Sequence, residues 1–334
     1  MSKTATSLLE VRDLAVHFRV RKGLAASRAV KAVDGVSFDL MAGHTLGIAG
    51  ESGSGKSTVA RTLVRIVRPT GGTIAFDGAE VANLRGQPLK RYRRRMQMIY
   101  QDPYDSLDPR MSVLEVIGEA LTVRGLPKNQ HTGEVERLLG RVNLPVSVAT
   151  RFPGQLSGGQ RQRVSIARAL AVNPEIIICD EAVAALDVSI RAQILNLLKD
   201  IQRDTGVGYL FISHDLSTLR FMAHRVAIMY VGRVVEYGTS EEVLTNPLHP
   251  YTKALIAAVP SVTSRGRLRL KLRGEPPDPG DPPSGCPFHP RCPEAIDECR
   301  RVRPDLVAVP GGQSVACHVV FRSRPSVQAP GWPA

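Results

Sequence analysis

The chain has 334 residues, 43% of them hydrophobic and 22% charged, so it can bury a core spread over two domains or one large domain with an appendage. This excludes a disordered or collagen-like chain, and no apolar run reaches the ~18 residues that a bilayer span needs. Lys and Arg number 44 against 31 Asp and Glu, a formal charge of +13 that suits nucleic acid, anionic lipid, nucleotide phosphates, an acidic partner or simply a solvated surface. The opening MSKTATSLLEVRDL lacks the apolar core of a secretory signal, so a soluble intracellular protein is expected.

In chain order, residues 8–40 alternate apolar and polar positions (Leu9, Val11, Leu14, Val16, Phe18; then Val33, Val36, Phe38, Leu40), the period of strands, with a hairpin connection near Gly23. A short apolar run, Thr45–Gly50, ends in glycine, and helical spacing follows from Ser57 to Val67. The basic run Lys90, Arg91, Arg93, Arg94 and Arg95 reads as an exposed face. Residues 112–145 carry Val113, Val116, Ile117, Ala120 and Leu121 at helical spacing. The run Ile176–Cys179 suits a central parallel strand; a helix at 188–203, a strand at 208–212, a further helix, and strands at 225–230 and 233–237 complete the alternation. Strands alternating with helices predict an α/β domain with a largely parallel sheet. Beyond Ser261 the texture changes, with eight prolines in PPDPGDPPSGCPFHPRCP, which excludes regular helix or inner strand and sets a boundary near residue 262.

Gly50-Glu-Ser-Gly-Ser-Gly-Lys-Ser57 matches G-x-x-x-x-G-K-[ST], a loop whose glycines turn backbone N–H groups toward phosphate at a helix start. Lys56 is expected to reach the β- and γ-phosphates and the Ser57 hydroxyl to bind Mg²⁺. Asp180, ending an apolar strand, is the candidate Mg²⁺ carboxylate, and Glu181 the group that polarises the attacking water.

Leu156-Ser-Gly-Gly-Gln160, with Gln101 upstream and Leu186-Asp187 and His214 downstream, resembles ATP-binding-cassette ATPases over about Leu9 to Pro260. The resemblance implies an α/β cassette with a mostly parallel core sheet, an antiparallel β subdomain and a helical subdomain at about 102–168, all within residues 1–262. A short Pro/Cys-rich extension follows at 263–334. It also implies ATP and Mg²⁺ as ligands. Phe18 then stacks on adenine. Gly50, Ser52, Gly53, Ser54, Gly55, Lys56, Ser57 and Thr58 hold the phosphates, with Ser57, Gln101 and Asp180 on Mg²⁺. Glu181, His214 and Gln101 act on the water and γ-phosphate. Ser157, Gly158, Gly159 and Gln160 cap the ATP of a partner cassette, with Asp187 in the loop across that interface, so nucleotide binding closes a head-to-tail dimer.

The segments RMQMIYQDPYDSLDPRMSV, CDEAVAALDVSIRAQILNLL, HPYTKALIAAVP and the Cys-rich tail narrow the resemblance to ATPase subunits of oligopeptide/dipeptide importers, to about His318. Ala182 stands where many cassettes have proline, and Gln155 replaces an acidic residue common before the signature; neither removes a catalytic group. The implied setting is the cytoplasmic face of the cell membrane, with a second homologous ATPase, two transmembrane permeases, an extracytoplasmic substrate-binding protein and no nucleic acid. The alternatives are a nucleic-acid-associated ATPase of translation or repair, and an exporter cassette. A single phosphate loop, no long coiled-coil insertion and the Pro/Cys tail speak against them.

Cys286, Cys292, Cys299 and Cys317 crowd into a tail with little means of building a core. Their irregular spacing suits an iron–sulfur cube; zinc, with His289 or His318 replacing a thiolate, and free thiols are the alternatives. Similar tails in the importer family are associated with a [4Fe–4S] cluster.

Overall fold

The computed structural model describes residues 7–22, 26–101, 107–258 and 274–322. The hairpin connection near Gly23, the boundary near residue 262 and positions 102–106 after Gln101 lie outside the described residues. The chain divides into two units. One comprises Met1–Leu8, Leu40–His44 and Asn83–Phe211; the other comprises Leu9–Asp39, Thr45–Ala82 and Ile212–Ala334.

The strands are β1 (Ser7–Lys22), β2 (Ala26–Met41), β3 (Thr45–Ala49), β4 (Gly71–Phe76), β5 (Ala79–Glu80), β6 (Met96–Ile99), β7 (Ile176–Asp180), β8 (Gly208–Ile212), β9 (Arg225–Tyr230), β10 (Arg233–Thr239), β11 (Val307–Ala308) and β12 (Ser314–Val315). In the second unit, β2-β1-β4-β5 form one sheet, in which Leu9 faces Phe76 and Val11 faces Ile74 across an antiparallel pair. Leu9, Val11, Leu14 and Val16 are all buried, although the interval between Val11 and Leu14 is three rather than two. The pairing register shifts between Arg12 and Ala15, and Asp13 takes φ +48°, so a β-bulge absorbs the extra residue and returns Leu14 to the core face.

The same unit holds strands in the order β11-β12-β10-β9-β3. β3 runs parallel to β9 and is buried at all five positions, which is why it reads as an unbroken apolar run. β10 returns antiparallel to β9, and β12 from the tail pairs with β10, Val315 opposite Glu236 and Ser314 opposite Tyr237. The tail therefore borrows its core. Phe288 is 1% exposed and packs against Tyr230, Tyr251 and His249, with ring centroids 5.4, 5.4 and 5.9 Å away. Val309, Val315, Cys317 and Val320 form a second apolar cluster with Leu248.

In the first unit, β6 and β7 are parallel neighbours, with β8 next in order. Helices at Val113–Arg124 and His131–Arg141 fill the stretch expected to be helical, and the break falls where Gly125 (φ +92°) and Pro127 end the first of them. Ser112 and Glu115 form a reciprocal capping box at its start. Helices Gly158–Leu170 and Val188–Thr205 complete the set that carries the site residues. The basic run lies in a helix, Gly86–Arg95, where Tyr92 alone is buried and Arg95 forks onto the Glu175 carboxylate.

Candidate nucleotide site

The phosphate loop joins β3 to the helix Lys56–Leu63. Gly50, Gly53 and Gly55 all have positive φ, +153°, +77° and +104°, so the loop is built from conformations that side chains resist. Gly55 is the N-cap; no side chain caps this helix and no acidic residue occupies its first turn, which leaves its positive end suited to an anion. Lys56 is buried, its Nζ donating to the carbonyls of Gly50 and Glu51 at 2.8 Å each and to Ser54 Oγ at 3.4 Å. The loop is tied down from outside: the Glu51 N–H donates to Tyr251 Oη at 2.8 Å, and the Gly232 N–H to the Ser54 carbonyl at 2.9 Å. Ser52 and Gly53 are exposed, and Ser57 and Thr58 are half-buried in the first helical turn.

His214 belongs to this same unit. It is exposed, one residue beyond Ser213, whose N–H donates to the carbonyl of Ile48 in β3, so it follows a strand end aligned with the entry to the loop. That exposure excludes a core histidine. Phe18 is 41% exposed on β1, a free aromatic face rather than a core ring.

The other site residues lie in the first unit. Asp180 ends β7 and is only 7% exposed, while Glu181 begins the following turn with φ +50° and its carbonyl accepts from the Ala184 N–H. A left-handed glutamate is a strained conformation, of the kind held where geometry matters for chemistry. Gln101 is exposed just after β6. Ser157 caps the helix Gly158–Leu170: its Oγ accepts from the Gln160 N–H, and its own N–H donates to Gln160 Oε1 at 3.0 Å. The Gln160 side chain is thus engaged in the cap, and Ser157 presents the helix start at the surface. S-x-x-Q is a capping box, legible as such from spacing alone. Asp187 is the N-cap of Val188–Thr205 and uses its backbone carbonyl, not its side chain, on the helix.

In the tail, Cys286, Cys299 and Cys317 are buried and Cys292 is half-buried; the Cys286 N–H donates to the Cys299 carbonyl at 2.8 Å. Burial pushes the Cys286 thiol up to about 12 and Cys292 to about 11, and in each case the charge of neighbouring cysteines adds to the shift. Among the described residues no three His, Cys, Asp or Glu side chains are grouped so as to hold a metal ion. His289 Nδ1 lies 3.0 Å from the Cys286 carbonyl, and His318 Nε2 lies 2.9 Å from that of Val302, so one nitrogen of each ring meets the backbone. Cys179 is wholly buried in β7, its thiol held protonated by desolvation.

Comparison with known proteins decides the family. The ABC transporter family matches residues 33–184, and the oligopeptide/dipeptide transporter C-terminal region matches residues 235–299. The probable peptide ABC transporter ATP-binding protein y4tS of Sinorhizobium fredii is 49% identical over 317 residues, 94% of this chain and 90% of that protein. The chain belongs to the ABC transporter family. Among ABC proteins it is also similar to the oligopeptide transport ATP-binding protein AppF of Bacillus subtilis, 47% identical over 94% of this chain and 97% of the relative. Two solved ABC structures share the fold. One is cbiO1 of Clostridium perfringens, with TM-score 0.62 and 26% identity over 72% of this chain and 91% of that one. The other is the dimeric cassette MJ0796 bound to ADP and phosphate, with TM-score 0.61 and 28% identity over 70% and 98%. This ABC ATPase cassette carries, among the described residues, no helix long and apolar enough to cross a membrane.

Proposed function

We propose that this ABC ATPase powers the import of di- or oligopeptides, hydrolysing ATP to ADP and phosphate from the cytoplasmic face of a membrane transporter. The observation that carries the reading is the similarity to peptide-transport ATP-binding proteins over 94% of the chain, tail included. In this reading, Phe18 stacks on adenine, and Gly50, Ser52 to Ser57 and Thr58 take the phosphates. Ser57, Gln101 and Asp180 hold Mg²⁺, which neutralises charge on the β- and γ-phosphates. Glu181 accepts the proton of the attacking water while Gln101 and His214 orient it against the γ-phosphate. Ser157, Gly159 and Gln160 close on the ATP of a second, homologous cassette, so two ATPase chains, two permeases and a substrate-binding protein make up the importer.

Glu181→Gln removes the base and keeps the shape, so ATP binds and turnover in the assembled transporter nearly stops. Wild-type hydrolysis in that variant would falsify the assignment. Uptake of peptides of defined length by cells lacking the chain tests the cargo; unchanged uptake of every length argues against peptides.

The tail supports one finer reading. Cys286, Cys299 and Cys317 are buried, and burial pushes up the thiols of Cys286, Cys292 and Cys317, an unfavourable home for bare thiolates. A [4Fe–4S] cluster held by Cys286, Cys292, Cys299 and Cys317 relieves that cost in a structural role remote from ATP. Anaerobically purified protein is then brown with about four irons per chain, whereas colourless protein with one zinc sinks the reading.

A further inference from the structure

Glu51 places a carboxylate in a loop built to receive anions. Its charge is met by an arginine 240 residues away in sequence: Arg291 Nη1 donates to Glu51 Oε2 at 2.7 Å and Nη2 donates to Oε1 at 2.9 Å. Nη1 also donates to Tyr230 Oη at 3.2 Å, and the guanidinium lies about 6 Å from the centres of the Tyr230 and Phe288 rings. The Arg291 side chain is only 6% exposed and that of Glu51 21%, so the fork is made largely out of water, where it is strong and where either partner alone is costly. The tail touches the loop a second time, since residues 275–279 line one groove with Glu51, Ser52, Gly53 and Ser54.

We propose that Arg291 is a positioning residue for nucleotide binding: the tail supplies the counter-charge that lets Glu51 stand beside a triphosphate. This rests on the loop being the phosphate site. A triphosphate carries several negative charges, and an unpaired carboxylate in the same loop repels them. The fork neutralises that carboxylate and fixes its direction, while Tyr251 fixes the backbone of the same residue through its amide. The structure of the tail is thereby tied to the affinity of a loop made in the first sixth of the chain.

The test measures binding of a fluorescent ATP analogue with Mg²⁺ to the purified full chain. Arg291→Ala should weaken binding about tenfold, with Glu51→Gln within about threefold of wild type. The deciding variant is the double substitution. If Arg291 acts by neutralising Glu51, Glu51→Gln with Arg291→Ala returns to the affinity of Glu51→Gln alone. If Arg291 merely anchors the tail, the double variant is as weak as Arg291→Ala or weaker, and the proposal falls. Binding by Arg291→Ala within twofold of wild type overturns it as well. Should Arg291→Ala fail to fold, Arg291→Gln removes the charge while keeping a polar side chain beside Tyr230 and Glu51, and the same comparison in the presence and absence of Glu51→Gln decides. Lys56→Ala is the control for the underlying reading: undiminished binding there sinks the phosphate-loop assignment. Loss with Lys56→Ala but not with Arg291→Ala sinks this inference alone.

Discussion

Two glycines of the phosphate loop should respond unequally to the same methyl group. Gly53 and Gly55 both have positive φ, so alanine at either pays the left-handed penalty of about 1–2 kcal/mol. At Gly53 nothing among the described residues lies within 4 Å of the added Cβ. At Gly55 the Cβ falls 2.2 Å from the carbonyl oxygen of Ala32 in β2, a backbone atom that no rotamer change can move. Relief requires the helix start to shift by roughly 1 Å, and overpacking of that kind adds about 1–3 kcal/mol. Gly53→Ala is therefore expected to cost about 1–2 kcal/mol and Gly55→Ala about 2–5 kcal/mol. Urea unfolding of the nucleotide-free chain reads the difference without the complication of ATP binding. Equal destabilisation by the two substitutions, or a milder effect at Gly55, would refute the steric argument.

Glu134 receives 2.8 Å hydrogen bonds from Arg137 and Arg124, and these hold its carboxyl at about 2 against the opposing effect of burial. A depressed carboxylate stabilises the fold above its unfolded pKa and loses that contribution as pH falls from about 4.5 towards 2. Glu134→Gln should thus cost about 1–2 kcal/mol at pH 7, discounted because Arg137 is half exposed, and almost nothing near pH 2; a pH-independent difference contradicts the linkage. Phe288→Ala removes the buried ring that joins the tail to Tyr230 and Tyr251, for an expected loss of about 3–5 kcal/mol in unfolding measurements; a loss below about 1 kcal/mol means the tail does not depend on this cluster. Gly159→Ala brings a Cβ to 2.7 Å from Ile190 Cγ2, so Ile190→Ala should recover stability lost by Gly159→Ala, and additive losses would count against the contact.

The parts of the site that were legible in the sequence are those whose chemistry is contiguous. Gly50–Ser57 carries its backbone needs and its cation in eight successive residues, and Ser157 and Gln160 carry a helix cap in four. The β-bulge at Asp13 leaves a three-residue interval between Val11 and Leu14, which the reading of regular alternation passed over. Elsewhere the signal was thin. The helix Gly86–Arg95 buries only Tyr92, so it lacks the apolar period that marks a helix; the strand Gly71–Phe76 opens on two glycines, and Ala79–Glu80 is two exposed residues long. The strained backbone of Glu181 and the fork between Glu51 and Arg291 depend on tertiary structure that no local pattern encodes.

The late strand β12 has a consequence for the order in which the protein is made. It pairs with β10, whose one other neighbour among the described strands is β9, and it is synthesised some eighty residues after it. Glu51 waits longer for Arg291: 240 residues at ~5–20 residues per second is roughly 12–50 s on the ribosome. During that interval the nascent chain carries an unpaired sheet edge and lacks the arginine that pairs with Glu51 of its phosphate loop. A protease that clips the tail re-creates the same state in finished protein. Clipped chains should then leave solution by joining edge to edge, so that quality control meets them as aggregates before any deficit in transport is felt.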